Sequence, residues 1–203
     1  MQRDFFQDKA KEWNNPAKIK DTKGFVEYVK ENIKIDRDSI LCDFGCGTGV
    51  IGLSFVSQVR HVVFIDLSPA MLEVLREDIS KQSITNCTVV NHDINSYDGE
   101  KVDVLLSHMV FHHVENLEST IKGIFDALKE GGKAFLVDLR PEDGSFHAPE
   151  AVPHNGFDPS QLEALFVKSG FKAVKIVDYP ALNKPGPDGN VREYPRFLLE
   201  IQK

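Results

Sequence analysis

The sequence predicts an α/β fold: a seven-stranded, mostly parallel sheet with helices on both faces and one antiparallel strand near the C-terminus. Three observations predict it. Short apolar runs alternate with longer amphipathic ones along most of the chain, the pattern of strand–helix–strand units. The run Ile40-Leu41-Cys42-Asp43-Phe44 passes directly into Gly45, Gly47, Gly49 and Gly52, where a helix-like stretch begins. The last two strand-like runs, 173–178 and 196–201, are joined by a stretch rich in Pro, Gly, Asn and Asp with no helix between, so they should pair antiparallel. A length of 203 residues suits one domain with a full core. Residues 1–35 read as a helical cap and 36–203 as the core of that single domain.

Each element has its own warrant. Residues 4–32 are amphipathic and helix-like, with Pro16 breaking the run. Their apolar members include Phe5, Phe6, Trp13, Phe25, Val26 and Val29. Strand-like runs fall at 40–44, 61–65, 87–90, 102–106, 133–138, 173–178 and 196–201. Helix-like runs fall at 49–58, 69–80, 116–129 and 158–169. Ser68-Pro69 and Asp158-Pro159 are start signals, a capping residue followed by proline in the first turn. Gly131-Gly132 and Gly170 are stop signals.

Bulk properties exclude several classes. A formal net charge of −7 argues against nucleic acid or an anionic membrane as the main partner. No apolar run reaches the roughly 20 residues that span a bilayer, and no apolar signal region follows the N-terminus. A cytoplasmic location follows as the default expectation. Cys42, Cys46 and Cys87 are too few for a disulfide framework and read as small packed side chains.

The glycine-rich loop has two readings. Gly47-Thr48-Gly49-Val50-Ile51-Gly52 fits the dinucleotide fingerprint, which would make the protein a nicotinamide-linked oxidoreductase. Asp66, ending the next apolar run, would bind ribose hydroxyls in either case. Asp43 tilts the choice, because an acid so close to a pyrophosphate repels it and an amine or sulfonium welcomes it.

These residues resemble the class I S-adenosylmethionine-dependent methyltransferases, particularly the small-molecule and quinone-biosynthesis branch. Asp43-Phe44-Gly45-Cys46-Gly47-Thr48-Gly49 is similar to that family's first motif, and Asp66 to its second-strand acid. Asn91-His92-Asp93-Ile94, the segment 102–114 and the segment 128–137 resemble its third-, fourth- and fifth-strand motifs, in order. The resemblance implies a Rossmann-like fold and S-adenosylmethionine as cofactor, with S-adenosylhomocysteine as product. It also implies roles. Gly45 and Gly47 would face the methionine portion, and Asp43 would help hold its ammonium. Asp66 would accept from the ribose, and Leu67 and Met71 would pack on adenine. Asp93 and the Ile94 amide would read the adenine edge, and the Ser107 carbonyl would meet the ammonium. A third reading, a cofactor-binding regulator without catalysis, stays open because binding motifs report the cofactor and not the reaction.

The acceptor is expected to be a small neutral or cationic molecule, with no nucleic acid; its identity and the oligomeric state are unread. His108 and His112, just past the fourth strand, are the candidate catalytic groups because histidine titrates in the useful range. His113, His147 and His154 should lie at the same mouth, and Asp138, ending the fifth strand, either faces the pocket or caps the following turn. A metal reading of His108, His112 and His113 ranks lower, since one helix-like spacing with no nearby acid supports it, and no metal is expected. Phe5, Phe6 and Trp13 could shield the mouth, and Lys9, Lys11 and Lys18 read as a solvated face.

Overall fold

The computed structural model describes residue 7 and residues 9–203. Its centre is a seven-stranded sheet of order β3-β2-β1-β4-β5-β7-β6. The strands are β1 (Ile40–Phe44), β2 (His61–Ile65), β3 (Cys87–Val90), β4 (Val102–His108), β5 (Leu128–Leu139), β6 (Ala173–Pro185) and β7 (Val191–Gln202). All pairings among β1 to β5 are parallel; β7 runs antiparallel to both β5 and β6. The one reversed strand is thus next to the edge, as expected.

Among the described residues five α-helices cover the sheet: α1 (Pro16–Asn32), α2 (Val50–Leu53), α3 (Pro69–Lys81), α4 (Leu117–Ala127) and α5 (Pro159–Lys168). Their starts follow the capping signals. Asn15, Ser68, Asn116 and Asp158 each accept a first-turn backbone N–H through the side chain. On one face of the sheet Ile121, Ile124, Leu162 and Phe166 pack over Cys42, Leu105 and Leu136. On the other, Phe25, Val26, Val29, Leu72 and Leu75 pack over Leu41, Val62, Phe64 and Leu106.

Three elements differ from the sequence reading. The helix expected over 49–58 stops at Leu53, and the turns beyond are stapled by Asn86 Nδ2, which donates to the Val56 and Val59 carbonyls at 2.8 and 3.2 Å. Gly131 and Gly132 do not end α4. They lie within β5, where Gly131 N donates to the Lys203 carbonyl and Lys203 N donates to that of Gly132. The stretch expected as a loop over 180–195 is mostly strand: β6 and β7 stay paired out to Pro185 and Val191, through an irregularity between Tyr179 and Leu182. Side chains at Tyr194, Leu139 and Phe146 form a small separate core there and make the extension worthwhile.

Candidate active site

The carboxyl ends of β1, β2 and β4 meet around the glycine-rich loop. Gly45, Gly47 and Gly49 all hold positive φ, at 68°, 53° and 79°, so the loop needs residues without a Cβ. Asp66 leaves the end of β2 and braces the loop: Oδ2 accepts from Gly47 N at 2.7 Å and Oδ1 from Ser68 N at 2.8 Å. Asp43 sits beneath the loop, 1% exposed, and accepts from Gly52 N at 2.8 Å. Burial raises its carboxyl to about 7, against that hydrogen bond and with a further push from the nearby Asp66 charge.

The other residues expected to grip the donor gather at the same edge. Leu67, an apolar side chain beside Asp66, is 67% exposed. Met71 and Ile94 are buried below. Asp93 caps a short 3-10 turn (residues 94–96), accepting from the Asn95 amide at 2.9 Å. Ser107 Oγ, in β4, is buried with no hydrogen-bond partner among the described residues. The ammonium, carboxylate and ribose groups of S-adenosylmethionine suit such a set: an orphaned hydroxyl, a bare glycine backbone and two carboxylates. From the N-terminal side, Asn14 Oδ1 accepts from Thr48 Oγ1 at 2.6 Å, and the Trp13 indole lies over Gly47. Phe5 and Phe6 lie outside the described residues. Lys18 is not on a solvated face. Its ammonium sits 2.8 Å from the Trp13 ring centroid, and burial, then Lys9 and Lys184, lower its pKa to about 8.

The histidines divide into two groups. His108 ends β4 inside a packed polar cluster. Its ring lies 5.2 Å from that of Phe25 and 6.3 Å from that of Tyr179. Its Nε2 is 3.5 Å from Asp21 Oδ2 and accepts from Arg196 Nη1 at 3.5 Å. Burial is the main cause of its pKa falling to about 4. His112 and His113 follow on a 3-10 turn (Phe111–His113), and His147 comes to them from the segment after β5. Ring centroids are 4.2 Å apart for His112–His113 and 4.8 Å for each of the other two pairs.

Asp138, near the end of β5, orients this second group. His112 Nδ1 lies 2.7 Å from Asp138 Oδ1, both side chains almost fully buried. Burial alone would push the Asp138 carboxyl up. The His112 ring and the Leu139 and His112 amides outweigh it and hold the group below the usual carboxylate range. Burial, then neighbouring positive charge, lowers His113 to about 4 and His147 to about 3. Sequence spacing pointed to His112 and His113 together. It set His147 over the same mouth and offered Asp138 as facing it, but not the ring contacts or the Asp138–His112 bond, because the long segment between folds back only in three dimensions. His154 anchors that segment, its Nε2 donating to the Val114 carbonyl at 2.9 Å and its amide to the His112 carbonyl at 3.2 Å.

The sheet order, the glycine loop and the acids at the ends of β1 and β2 resemble those of the class I S-adenosylmethionine-dependent methyltransferases, and the chain is similar to methyltransferases over much of its length. Residues 41–132 match the family model described as a methyltransferase domain. An uncharacterized methyltransferase of Schizosaccharomyces pombe is 26% identical over 68% of this chain and 55% of its own. A ubiquinone biosynthesis O-methyltransferase of Coxiella burnetii is also 26% identical, over 64% of this chain and 58% of its own. The chain thus spans a little over half the length of these relatives. Among solved structures, a S-adenosylmethionine-dependent methyltransferase from Aquifex aeolicus shares the fold with TM-score 0.71 at 15% identity, covering 98% of both chains. Phosphoethanolamine N-methyltransferase 2 of Haemonchus contortus, in complex with S-adenosylmethionine, shares it with TM-score 0.71 at 16% identity, over 89% of this chain and 52% of that one. The nicotinamide-linked reading gains no support from these matches. No described helix is long and apolar enough to cross a membrane.

Proposed function

We propose that the protein transfers the methyl group of S-adenosylmethionine to a small-molecule acceptor. The observation that carries this reading is the pair of carboxylates flanking the glycine loop, Asp66 braced on Gly47 and Ser68 and Asp43 buried beneath. When bound, the donor supplies a methyl already activated by a sulfonium, so the protein's task is to hold two reactants in line and keep water away. In this reading Asp66 accepts from the ribose hydroxyls. Leu67 and Met71 pack on adenine, and Asp93 and the Ile94 amide meet its edge. Gly45, Gly47 and Ser107 line the amino-acid end, where Asp43 acts as a negative charge from below.

The histidine group supports an acceptor end on the other side of the loop. His112 is oriented through Nδ1 by Asp138, which leaves Nε2 to govern the ionisation of the acceptor. His108 has its Nε2 turned to Asp21 and Arg196, which favours a role in holding α1 against β7 over proton transfer. Lys9, Lys18 and Lys184 lie close enough to lower one another's or the histidines' proton affinity, and such a rim argues against the cationic acceptor expected from net charge.

Calorimetric titration tests the donor half. S-adenosylmethionine and S-adenosylhomocysteine should bind at one site per chain. Asp66→Asn should weaken both by about 10-fold or more, the worth of a charge-assisted hydrogen bond. Absence of heat and of any thermal shift at millimolar ligand would end the proposal. Tight binding of both with no turnover on any acceptor would favour the regulator reading.

A further inference from the structure

We propose that His112, His113 and His147 form a binding site for one divalent transition-metal ion of the zinc type, with Asp138 as its outer support. One nitrogen from each ring can be chosen so that all lie within 4.8 Å of one another. A tetrahedral zinc site with Zn–N bonds of about 2.0–2.1 Å sets such nitrogens roughly 3.4 Å apart. In the proposed site the half-buried His113 and His147 rings close that difference.

The second observation is the state of His112. Its Nδ1 is held at 2.7 Å by a buried carboxylate, so Nε2 is the nitrogen left for a metal. A carboxylate behind an imidazole is how metal-ligating histidines are oriented and made more basic. The carboxylate also supplies a fixed negative charge beside a dication.

The backbone holds the third ligand in place. The segment carrying His147 is tied by Glu142 N to the Asn155 carbonyl at 3.0 Å, Phe157 N to that of Leu139 at 2.9 Å and Phe146 N to Glu142 Oε2 at 3.0 Å. The rings also pack on Phe146, with centroids 6.3 Å away for His112 and 4.8 Å for His147. The adjoining small core is built from Leu139, Phe146 and Tyr194. The nearby ammonium groups are partly offset, Lys9 by Glu150 at 2.9 Å and Lys184 by the fields of Glu150 and Glu142.

Three protein ligands leave a fourth position open, the arrangement of catalytic rather than structural zinc. The role we assign it rests on the methyl-transfer reading: the position takes the acceptor's hydroxyl or thiol. Coordination lowers that group's pKa and its proton leaves to solvent. The freed lone pair then forms the bond to the methyl carbon, as the carbon–sulfur bond breaks with its electrons remaining on sulfur.

Cobalt(II) is the probe. Titrated into the full chain after chelator treatment, without S-adenosylmethionine, it should bind one ion per chain and give the intense visible bands of a four- or five-coordinate site. His113→Ala and His147→Ala, chosen because these rings are only half-buried, should each weaken binding at least 100-fold. Asp138→Asn should weaken it about 10- to 100-fold, and His61→Ala, on β2 and paired there with Thr88, should leave it unchanged. Melting of each metal-free variant separates lost ligation from lost folding. No stoichiometric cobalt binding to the folded wild type would overturn the site, as would unchanged affinity in the folded His113 and His147 variants. The readout needs no donor, so its failure leaves the methyl-transfer reading standing, and failure of donor binding leaves the metal site standing.

Discussion

Gly156 shows how tightly the segment carrying His147 is turned. Its φ is +78°, and a Cβ there would lie 2.1 Å from the Arg140 carbonyl oxygen. The obstacle is backbone at the end of β5 and cannot swing aside. Gly156→Ala therefore combines the left-handed penalty of about 1–2 kcal/mol with a main-chain clash. Urea denaturation should show a loss of about 2 kcal/mol or more, with the slope unchanged. A variant as stable as the wild type would mean that the turn relaxes freely. The residue scale is also where sequence reading divides. Gly45, Gly47, Asp43 and Asp66 were legible because they follow one another at strand ends, where local chemistry dictates them. His147 and Asp138 were legible only as residues near the mouth, and Gly156 not at all, since what makes each matter is an atom far off in the chain.

At the scale of elements, α1 is fastened to the C-terminal hairpin by one buried ion pair. Arg196 on β7, 1% exposed in its side chain, donates from Nη1 and Nη2 to both Asp21 oxygens at 2.8 and 2.6 Å. Its Nε donates to the Pro180 carbonyl at 2.8 Å. A buried guanidinium left without its carboxylate is far costlier than the pair is worth. Asp21→Ala should thus destabilise by on the order of 3 kcal/mol, read as a lowered denaturation midpoint. Asp21→Ala combined with Arg196→Met should recover much of the loss. Equal losses in the single and double variants would show that the pair is not what holds α1. The clamp explains a misreading. The 180–195 stretch looks like loop because Pro, Gly, Asn and Asp crowd it. Packing of Tyr194 and Leu182 on neighbouring elements outweighs that local preference and pairs it as strand. The sheet itself was legible in every strand core, because apolar runs and capping signals are local; strand ends and the short α2 depended on contacts the sequence does not show.

For the whole molecule, the donor site costs stability in the unliganded protein, and Asp43 makes that cost measurable. Its carboxyl titrates near 7 in the fold, because burial disfavours the charge, and near 3.9 when unfolded. Between these values the folded state keeps a proton that the unfolded chain has released. The corresponding stability is complete below about pH 4 and is lost as pH rises through 7, amounting to a few kcal/mol at most. His108 works oppositely: its pKa of about 4, against 6.5 unfolded, removes stability as pH falls from 6.5 towards 4. The two slopes oppose each other in mildly acid solution, so wild-type stability alone conceals both. The difference between wild type and Asp43→Asn isolates the first. Asparagine keeps an acceptor for the Gly52 amide but carries no charge, so the variant should match the wild type near pH 4 and exceed it by a few kcal/mol near pH 8. Saturating S-adenosylmethionine should shrink or reverse that gap, because the buried carboxylate then faces a cationic ligand. Denaturation at both pH values, with and without the donor, checks this; a gap that is constant with pH would show that Asp43 stays ionised throughout, and a gap untouched by the donor would place the ligand's positive charge elsewhere.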